Sequence, residues 1–363
     1  MDILPLTSWL ENYNQPLIIS GPCSAETEEQ VLATAKELAK IKQVKIFRAG
    51  IWKPRTRPSQ FEGVGSKGLD WLKRVRQETG LLTAVEVATP QHVVEAIESG
   101  VDILWIGART VVNPFSVQEI ADSLQGVDIP VMIKNPVNPD LKLWMGTIER
   151  CYRAGIRKII AVHRGFFYFE KTPYRNAPMW EIPIELKRLI PNLPIICDPS
   201  HICGKMELIY IIAQKALDLE MDGLMVEVHD HPEKALTDAR QQITPYQLSE
   251  LLTKLVIRKT SGSHEFENKL EELRREIDKL DDELITILSR RMEIVKEIGE
   301  YKKENDITIL QIKRWSEIIR YRLENASRAG LDRDFLIRLF ELVHKEAIQI
   351  QSEIMEKGKL PDR

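Results

Sequence analysis

Eight short β-rich runs, each followed by a helical pattern, fill residues 17 to 258 of this 363-residue chain. The expected strands are Leu17–Ser20, Val44–Phe47, Leu82–Val87, Ile103–Ile106, Val131–Ile133, Lys158–Val162, Pro194–Cys197 and Gly223–Val228. Helical patterns such as Glu28–Lys40, Gln91–Ser99 and Glu207–Leu219 separate them. Eight strand-then-helix units in a segment of this size predict an α/β fold, the (β/α)8 barrel. A doubly wound open sheet is the alternative. No G-x-G-x-x-G follows any strand, which argues against a dinucleotide-binding version of it. The length suits one large domain plus a small one.

Barrels of this kind carry their chemistry at the C-terminal ends of the strands. Here each end delivers a polar group: Cys23, then Arg48 with the loop Lys53, Pro54, Arg55 and Thr56, then Glu86 and Arg109. Lys134, His163 with Arg164, Asp198 with His201, and Glu227 complete the ring. Eleven residues after Glu227 comes Asp238, on a loop expected to bring the second carboxylate back toward the first. Two carboxylates brought together must share a proton, meet a cation or hold a metal. One thiolate, one imidazole and two carboxylates, from Cys23, His201, Glu227 and Asp238, make a divalent-metal set. The bland reading of the last two is a salt-bridged Glu and a surface Asp.

From Arg258 to Phe266 the text turns small and polar, a linker between an expected barrel domain at 1–257 and a helical one at 267–363. Apolar residues from Leu270 to Ile298 recur at spacings near three and four, predicting one helix from Glu267 to Lys303. It would be about 54 Å long at 1.5 Å per residue. Further patterns run from Ile312 to Ala326 and from Asp334 to Met355. A three-helix unit with one overlong helix predicts an intertwined homodimer.

A net charge of −3 gives no pull toward nucleic acid or an anionic membrane surface. No apolar run approaches a membrane span, and the N-terminus has no signal pattern. Four cysteines are too few for a disulfide scaffold, so a reducing cytoplasm is expected. The first strand opens at Leu17, so no separate regulatory domain is expected ahead of the barrel.

In this order, G-P-C-S-A-E, F-R-A-G with K-P-R-T, I-G-A-R, H-R-G, D-P-S-H and E-V-H-x-x-P-x-x-A-x-x-D resemble a DAHP synthase of the type I beta group. The resemblance covers nearly all of residues 17 to 257. It implies condensation of phosphoenolpyruvate with erythrose 4-phosphate, the opening step of the shikimate pathway to aromatic amino acids. It implies a divalent ion (Mn, Fe, Co or Zn) on Cys23, His201, Glu227 and Asp238. Arg109, Lys134 and Arg164 would take the phosphoenolpyruvate phosphate, with Arg48 and Lys53 near its carboxylate and enol end. Lys53, Pro54, Arg55 and Thr56 would form the erythrose 4-phosphate pocket; related synthases that use arabinose 5-phosphate carry a different loop there. Lys53 and Glu86 are the candidates for acid and water-orienting group. N-P-V-N-P after Lys134, His163 before Arg164, and Val112 depart from the family pattern. A different metal-dependent aldolase or phosphosugar enzyme is the competing reading, and it accounts poorly for K-P-R-T.

The tail resembles an all-helical chorismate mutase, opening with L-R-R-E-I-D-K-L-D at Leu273–Asp281. The implied catalytic residues are Arg274, Arg291, Lys302, Arg314 and Gln351. Arg291 and Lys302 are eleven residues apart, about three turns, and share a helix face. Arg274 falls off that stripe, as expected of a residue serving the partner chain's site. Gln311, Trp315 and Ala347 stand where the family often has Asp, Glu and Ser. The alternative for the tail is a non-catalytic module that dimerises and senses prephenate. Either way it is expected to mediate feedback on the barrel.

Overall fold

The computed structural model describes residues 1–11, 15–53, 60–259, 261–310 and 330–356. Pro54, Arg55, Thr56, Gln311, Arg314, Trp315 and the expected helix at 312–326 lie outside the described residues. Two compact units divide the chain, Met1–Thr260 and Ser261–Arg363.

The first unit is the expected barrel. Strands β1 (Leu17–Gly21), β2 (Val44–Ala49), β3 (Leu82–Val87), β4 (Ile103–Ile106), β5 (Val131–Lys134), β6 (Ile159–His163), β7 (Ile195–Cys197) and β8 (Gly223–Glu227) form one closed parallel sheet. β1 closes on β8 with Leu17 opposite Gly223 and Gly21 opposite Glu227. The strands read as nearly unbroken apolar runs because both faces are buried. Ile19, Ile46, Trp105, Met132, Ile160, Ile196 and Met225 fill the inside. Ile18, Phe47, Val85, Leu104, Ile133 and Leu224 pack outward against the helices. Leu6 and Leu10 join the inner cluster. They come from a segment anchored by Leu4 N–H on the Arg157 carbonyl, below the start of β6.

Helix starts follow local chemistry. Thr89, Asn113 and Thr244 cap helices whose first residue is proline, and Thr244 with Gln247 completes a capping box. The segment expected as one helix from Glu207 instead opens with a 3₁₀ turn at Met206–Leu208 and becomes α-helical at Ile209–Asp218. Among the described residues no helix is long and apolar enough to cross a membrane.

In the second unit one helix runs from His264 to Glu304, 41 residues, starting three residues earlier than expected. The Ser263 side chain accepts from Phe266 N–H and caps it, so the linker is shorter than its composition suggests. The last helix, Arg333–Glu356, packs on it where Gly299 leaves room. A Cβ there would sit 2.9 Å from Ile354 Cδ1 and 3.2 Å from Gln351 Cγ. Much of the long helix keeps its apolar side chains in the open: Ile277, Leu280 and Ile287 are 56, 62 and 64% exposed.

Candidate active site

The barrel's C-terminal mouth is built on close backbone approaches. At Gly21 (φ +151°) a Cβ would lie 2.0 Å from the Arg48 carbonyl oxygen, so β1 and β2 can meet there only without a side chain. Gly107 does the same for a side chain: its Cβ would lie 2.0 Å from Glu86 Oε1, so I-G-A-R makes the space that Glu86 fills.

Cys23, Glu227 and Asp238 each offer a ligand atom within 4.8 Å of the others. Cys23 Sγ is 3.4 Å from Asp238 Oδ2 and also 3.4 Å from Lys53 Nζ. His201 reaches the group from the β7 side, with Nε2 3.7 Å from Glu227 Oε1. Its Nδ1 sits 2.8 Å from Asp198 Oδ2, which turns Nε2 toward the Glu227 carboxylate. Asp198 also holds Lys134 at 2.8 Å, and its side chain caps His201 N–H. Arg48 does not wall the cavity. It is 1% exposed, donates to Glu227 Oε1 at 2.9 Å and to the Cys23 carbonyl at 3.1 Å, and lies over the Trp105 ring.

The electrostatics of this cluster are those that a bound cation would relieve. Burial, and then the Glu227 carboxylate, push the Cys23 thiol up to about 12. Burial would raise the Glu227 carboxyl too, but His201 and Arg48 hold it below its ordinary range. Asp238 is likewise lowered against burial by His201, Arg175 and Lys53. A thiol that resists ionisation only because two anions and burial surround it becomes a thiolate once a divalent charge replaces its proton. Sulfur, imidazole and carboxylate donors at this spacing fit such an ion.

Beside the cluster lies a cavity of about 350 Å³. Lys53, Arg109, Lys134, Arg164 and Arg175 wall it, with Glu86, His201 and Asp238. Burial, offset by Asp198, brings the Arg164 guanidinium down to about 10, so it stays charged at neutral pH. His163 does not line the cavity. It is fully buried beside Phe166 and Trp180, and burial and then Arg164 push it down to about 3, so it remains neutral.

Four residues of this mouth were not singled out from the sequence. Arg175 pairs with Asp238 Oδ1 at 3.0 Å, and Asn176 bonds both Arg164 and the His201 carbonyl. Gln241 donates to Glu227 Oε2 at 2.7 Å, and Gln242 accepts from Cys23 N–H at 2.9 Å. The only local signal was polarity inside a loop, Y-R-N and R-Q-Q, which by itself says surface.

In the helical unit, Arg291 and Lys302 are half-buried and Gln351 is 8% exposed on the facing helix. Gln351 Nε2 donates to the Ala347 carbonyl at 3.1 Å, and among the described residues its buried Oε1 has no hydrogen-bond partner. Lys302 Nζ donates to the Ile309 carbonyl at 2.6 Å, and burial lowers its pKa. His344, one turn before Ala347, is lowered by burial and then by Arg291 and Lys302, so these groups share one neighbourhood. Arg274 is exposed, about 26 Å along the helix from Arg291 at 1.5 Å per residue. Within one chain the helix keeps those two apart.

The DAHP synthetase I family matches residues 11–261, and chorismate mutase type II matches residues 273–352. A phospho-2-dehydro-3-deoxyheptonate aldolase of Thermotoga maritima is 34% identical over 226 residues, 62% of this chain and 64% of that protein. The chain thus spans just under two thirds of that relative's length. A 2-dehydro-3-deoxyphosphooctonate aldolase of Desulfotalea psychrophila is 31% identical over 261 residues, covering 67% of this chain and 89% of that protein. The crystal structure of the Thermotoga maritima DAHP synthase superposes with a TM-score of 0.58 at 32% identity, covering 65% of this chain and 67% of that one. The truncated 3-deoxy-D-arabino-heptulosonate 7-phosphate synthase of the same organism gives 0.59 at 29% identity, over 68% of this chain and 88% of that one. With more than half its length matched, the chain belongs to the DAHP synthetase I family, and behind that segment it carries one of chorismate mutase type II.

Proposed function

We propose that the barrel condenses phosphoenolpyruvate with erythrose 4-phosphate to DAHP and phosphate, and that the helical unit converts chorismate to prephenate. The observation that carries the first reading is the convergence of Cys23, Glu227 and Asp238 beside a cavity walled by five cations. Two phosphorylated substrates, one of them also a carboxylate, need several cations, and arginine offers paired donors to phosphate. In this reading Arg109, Lys134 and Arg164 hold the phosphoenolpyruvate phosphate, and Lys53, Pro54, Arg55 and Thr56 receive erythrose 4-phosphate. Arg48 acts from beneath, steadying Glu227.

Cys23, His201, Glu227 and Asp238 would hold manganese, iron, cobalt or zinc, and a bound ion would supply Lewis-acid polarisation of the aldehyde. Lys53, 3.4 Å from Cys23 Sγ, stands where it can protonate the aldehyde oxygen as the new C–C bond forms. Glu86, lodged against Gly107, orients the water that adds to the former enol carbon before phosphate departs. The arginines hold the phosphate in place through both steps.

The test follows phosphoenolpyruvate and chorismate loss in parallel with purified, metal-loaded protein. Condensation is expected to require erythrose 4-phosphate and to stop with a chelator, while chorismate turnover continues. Full condensation in chelator removes the metal reading. Turnover with arabinose 5-phosphate in its place transfers the barrel to the octulosonate side of its relatives. Prephenate added to the same assay tests feedback; an unchanged condensation rate discards the regulatory role of the tail.

For the mutase, Arg291, Lys302, Arg314 and Gln351 would clamp a dicarboxylate whose rearrangement needs no nucleophile. Arg274 would complete the site in the partner of a homodimer, a reading supported by the exposed apolar side chains of the long helix. Gln351→Ala is expected to lower chorismate kcat by about 10²-fold, the usual order for one donor to developing charge. Condensation by the same protein serves as the control, and less than a threefold loss would remove Gln351 from the site. No chorismate turnover by the unaltered chain would make the tail a dimerising sensor.

A further inference from the structure

One buried amide spans the two halves of the mouth. Asn176 is 8% exposed. Its Oδ1 accepts from Arg164 Nη1 at 2.7 Å, and its Nδ2 donates to the His201 carbonyl at 2.6 Å. A guanidinium only donates and a main-chain carbonyl only accepts, so a single orientation of the amide satisfies both. The backbone around it is equally fixed. Arg175 and Asn176 N–H reach the Ile202 carbonyl at 3.0 and 3.1 Å, and Ala177 exchanges two 2.8 Å bonds with Phe166. Arg175 Nη1 extends the connection to Asp238 at 3.0 Å and to Gln241 at 2.7 Å. Gln241 in turn holds Glu227. Three of the four candidate metal ligands are therefore tied to residues 175 and 176, and the guanidinium assigned to phosphate is tied to the same place.

We infer that Asn176 is a positioning residue that couples the two binding events: phosphoenolpyruvate on Arg164 and a divalent ion at His201 each strengthen the other through this amide. The inference rests on the synthase reading above. Arg164 Nη1 has the Gly165 carbonyl, at 3.3 Å, as a second acceptor, but Asn176 is held at both ends, so a shift of Arg164 toward a phosphate is passed to the short helix Pro199–Cys203 that carries His201. Linkage requires the same factor in both directions.

The test titrates metal-free full-length protein with Mn²⁺, with and without saturating phosphoenolpyruvate, and measures phosphoenolpyruvate affinity with and without Mn²⁺. The unaltered chain is compared with Asn176→Ala and Asn176→Asp, with thermal unfolding to check the fold. Asn176→Ala changes no charge, so attraction through space between ion and phosphate is kept. The coupling factor is expected to fall at least about fivefold, within the usual range of such couplings. Asn176→Asp keeps the acceptor for Arg164 but sets a carboxylate oxygen against the His201 carbonyl. It is expected to weaken Mn²⁺ more than phosphoenolpyruvate. A coupling factor unchanged in both variants, or equal to one in the unaltered chain, overturns the inference. Misfolding alone lowers each single affinity without selectively removing the coupling. An unaltered chain that binds neither probe overturns the synthase reading, and the coupling with it.

Discussion

Replacing Cys23 with alanine is expected to abolish condensation and leave chorismate turnover untouched. Cys23 lies at the end of β1 with its sulfur 3.4 Å from both Asp238 and Lys53, inside the cluster it shares with Glu227. Losing even an outer partner of a metal ligand costs 10–100-fold in affinity or activity. Losing the sulfur itself is expected to cost more than about 100-fold in Mn²⁺ affinity and in condensation rate, by that comparison. The fold should tolerate it, because alanine removes one buried atom from a site whose backbone is fixed by Gln242 and by the approach of β1 to β2. Chorismate turnover is an internal control, since the mutase-type segment lies in the other compact unit. Condensation surviving at more than a tenth of its rate would remove Cys23 from the ligand set. Loss of both activities would point to misfolding instead.

The barrel was legible because strands buried on both faces leave runs of branched apolar residues that no exposed helix shares. Strand limits moved by a residue or two at the mouth, where polar residues such as Lys134 and His163 extend β5 and β6 beyond their apolar cores. Cys23 and Glu227 could be picked out because they stand at strand ends that barrel closure brings together, and Asp238 because its loop leaves the last of those strands. Arg175, Asn176, Gln241 and Gln242 could not. Their partners lie up to 219 residues away in the chain, and a hydrogen bond across that distance leaves no periodicity. Arg48 shows the opposite limit. Its place at a strand end is readable, whereas its turn inward, under Glu227 and over Trp105, depends on packing that no spacing records. The helix start at His264 escaped because Ser263 caps it from within a stretch that composition marks as linker.

That inward turn makes Arg48 a barrel residue whose loss should cost much stability. Its ion pair with Glu227 spans 2.9 Å, with the two side chains 1% and 0% exposed. Breaking a buried pair by removing one partner costs about 3–5 kcal/mol, because the remaining charge stays buried without compensation. Arg48→Met keeps most of the volume and is expected to lose that amount in metal-free protein. Six of the seven tryptophans belong to the barrel unit, so tryptophan fluorescence in urea follows its unfolding. The pH dependence has a defined sign. With Arg48 present, the Glu227 carboxyl is held below its ordinary value despite burial. Without it, His201 alone of the two opposes burial, so the folded-state pKa rises and keeping Glu227 ionised costs more than in the unaltered chain. The deficit should then be smallest in acid and widen as the pH rises through the carboxylate range toward neutrality. Mn²⁺ should recover part of it, since an ion bound only by the folded barrel stabilises by mass action and gives Glu227 back a positive partner. A deficit below about 1 kcal/mol, the ordinary worth of an exposed pair, would mean that Glu227 finds another partner when Arg48 is gone. A deficit that ignores both pH and Mn²⁺ would assign the loss to packing against Trp105, and not to charge.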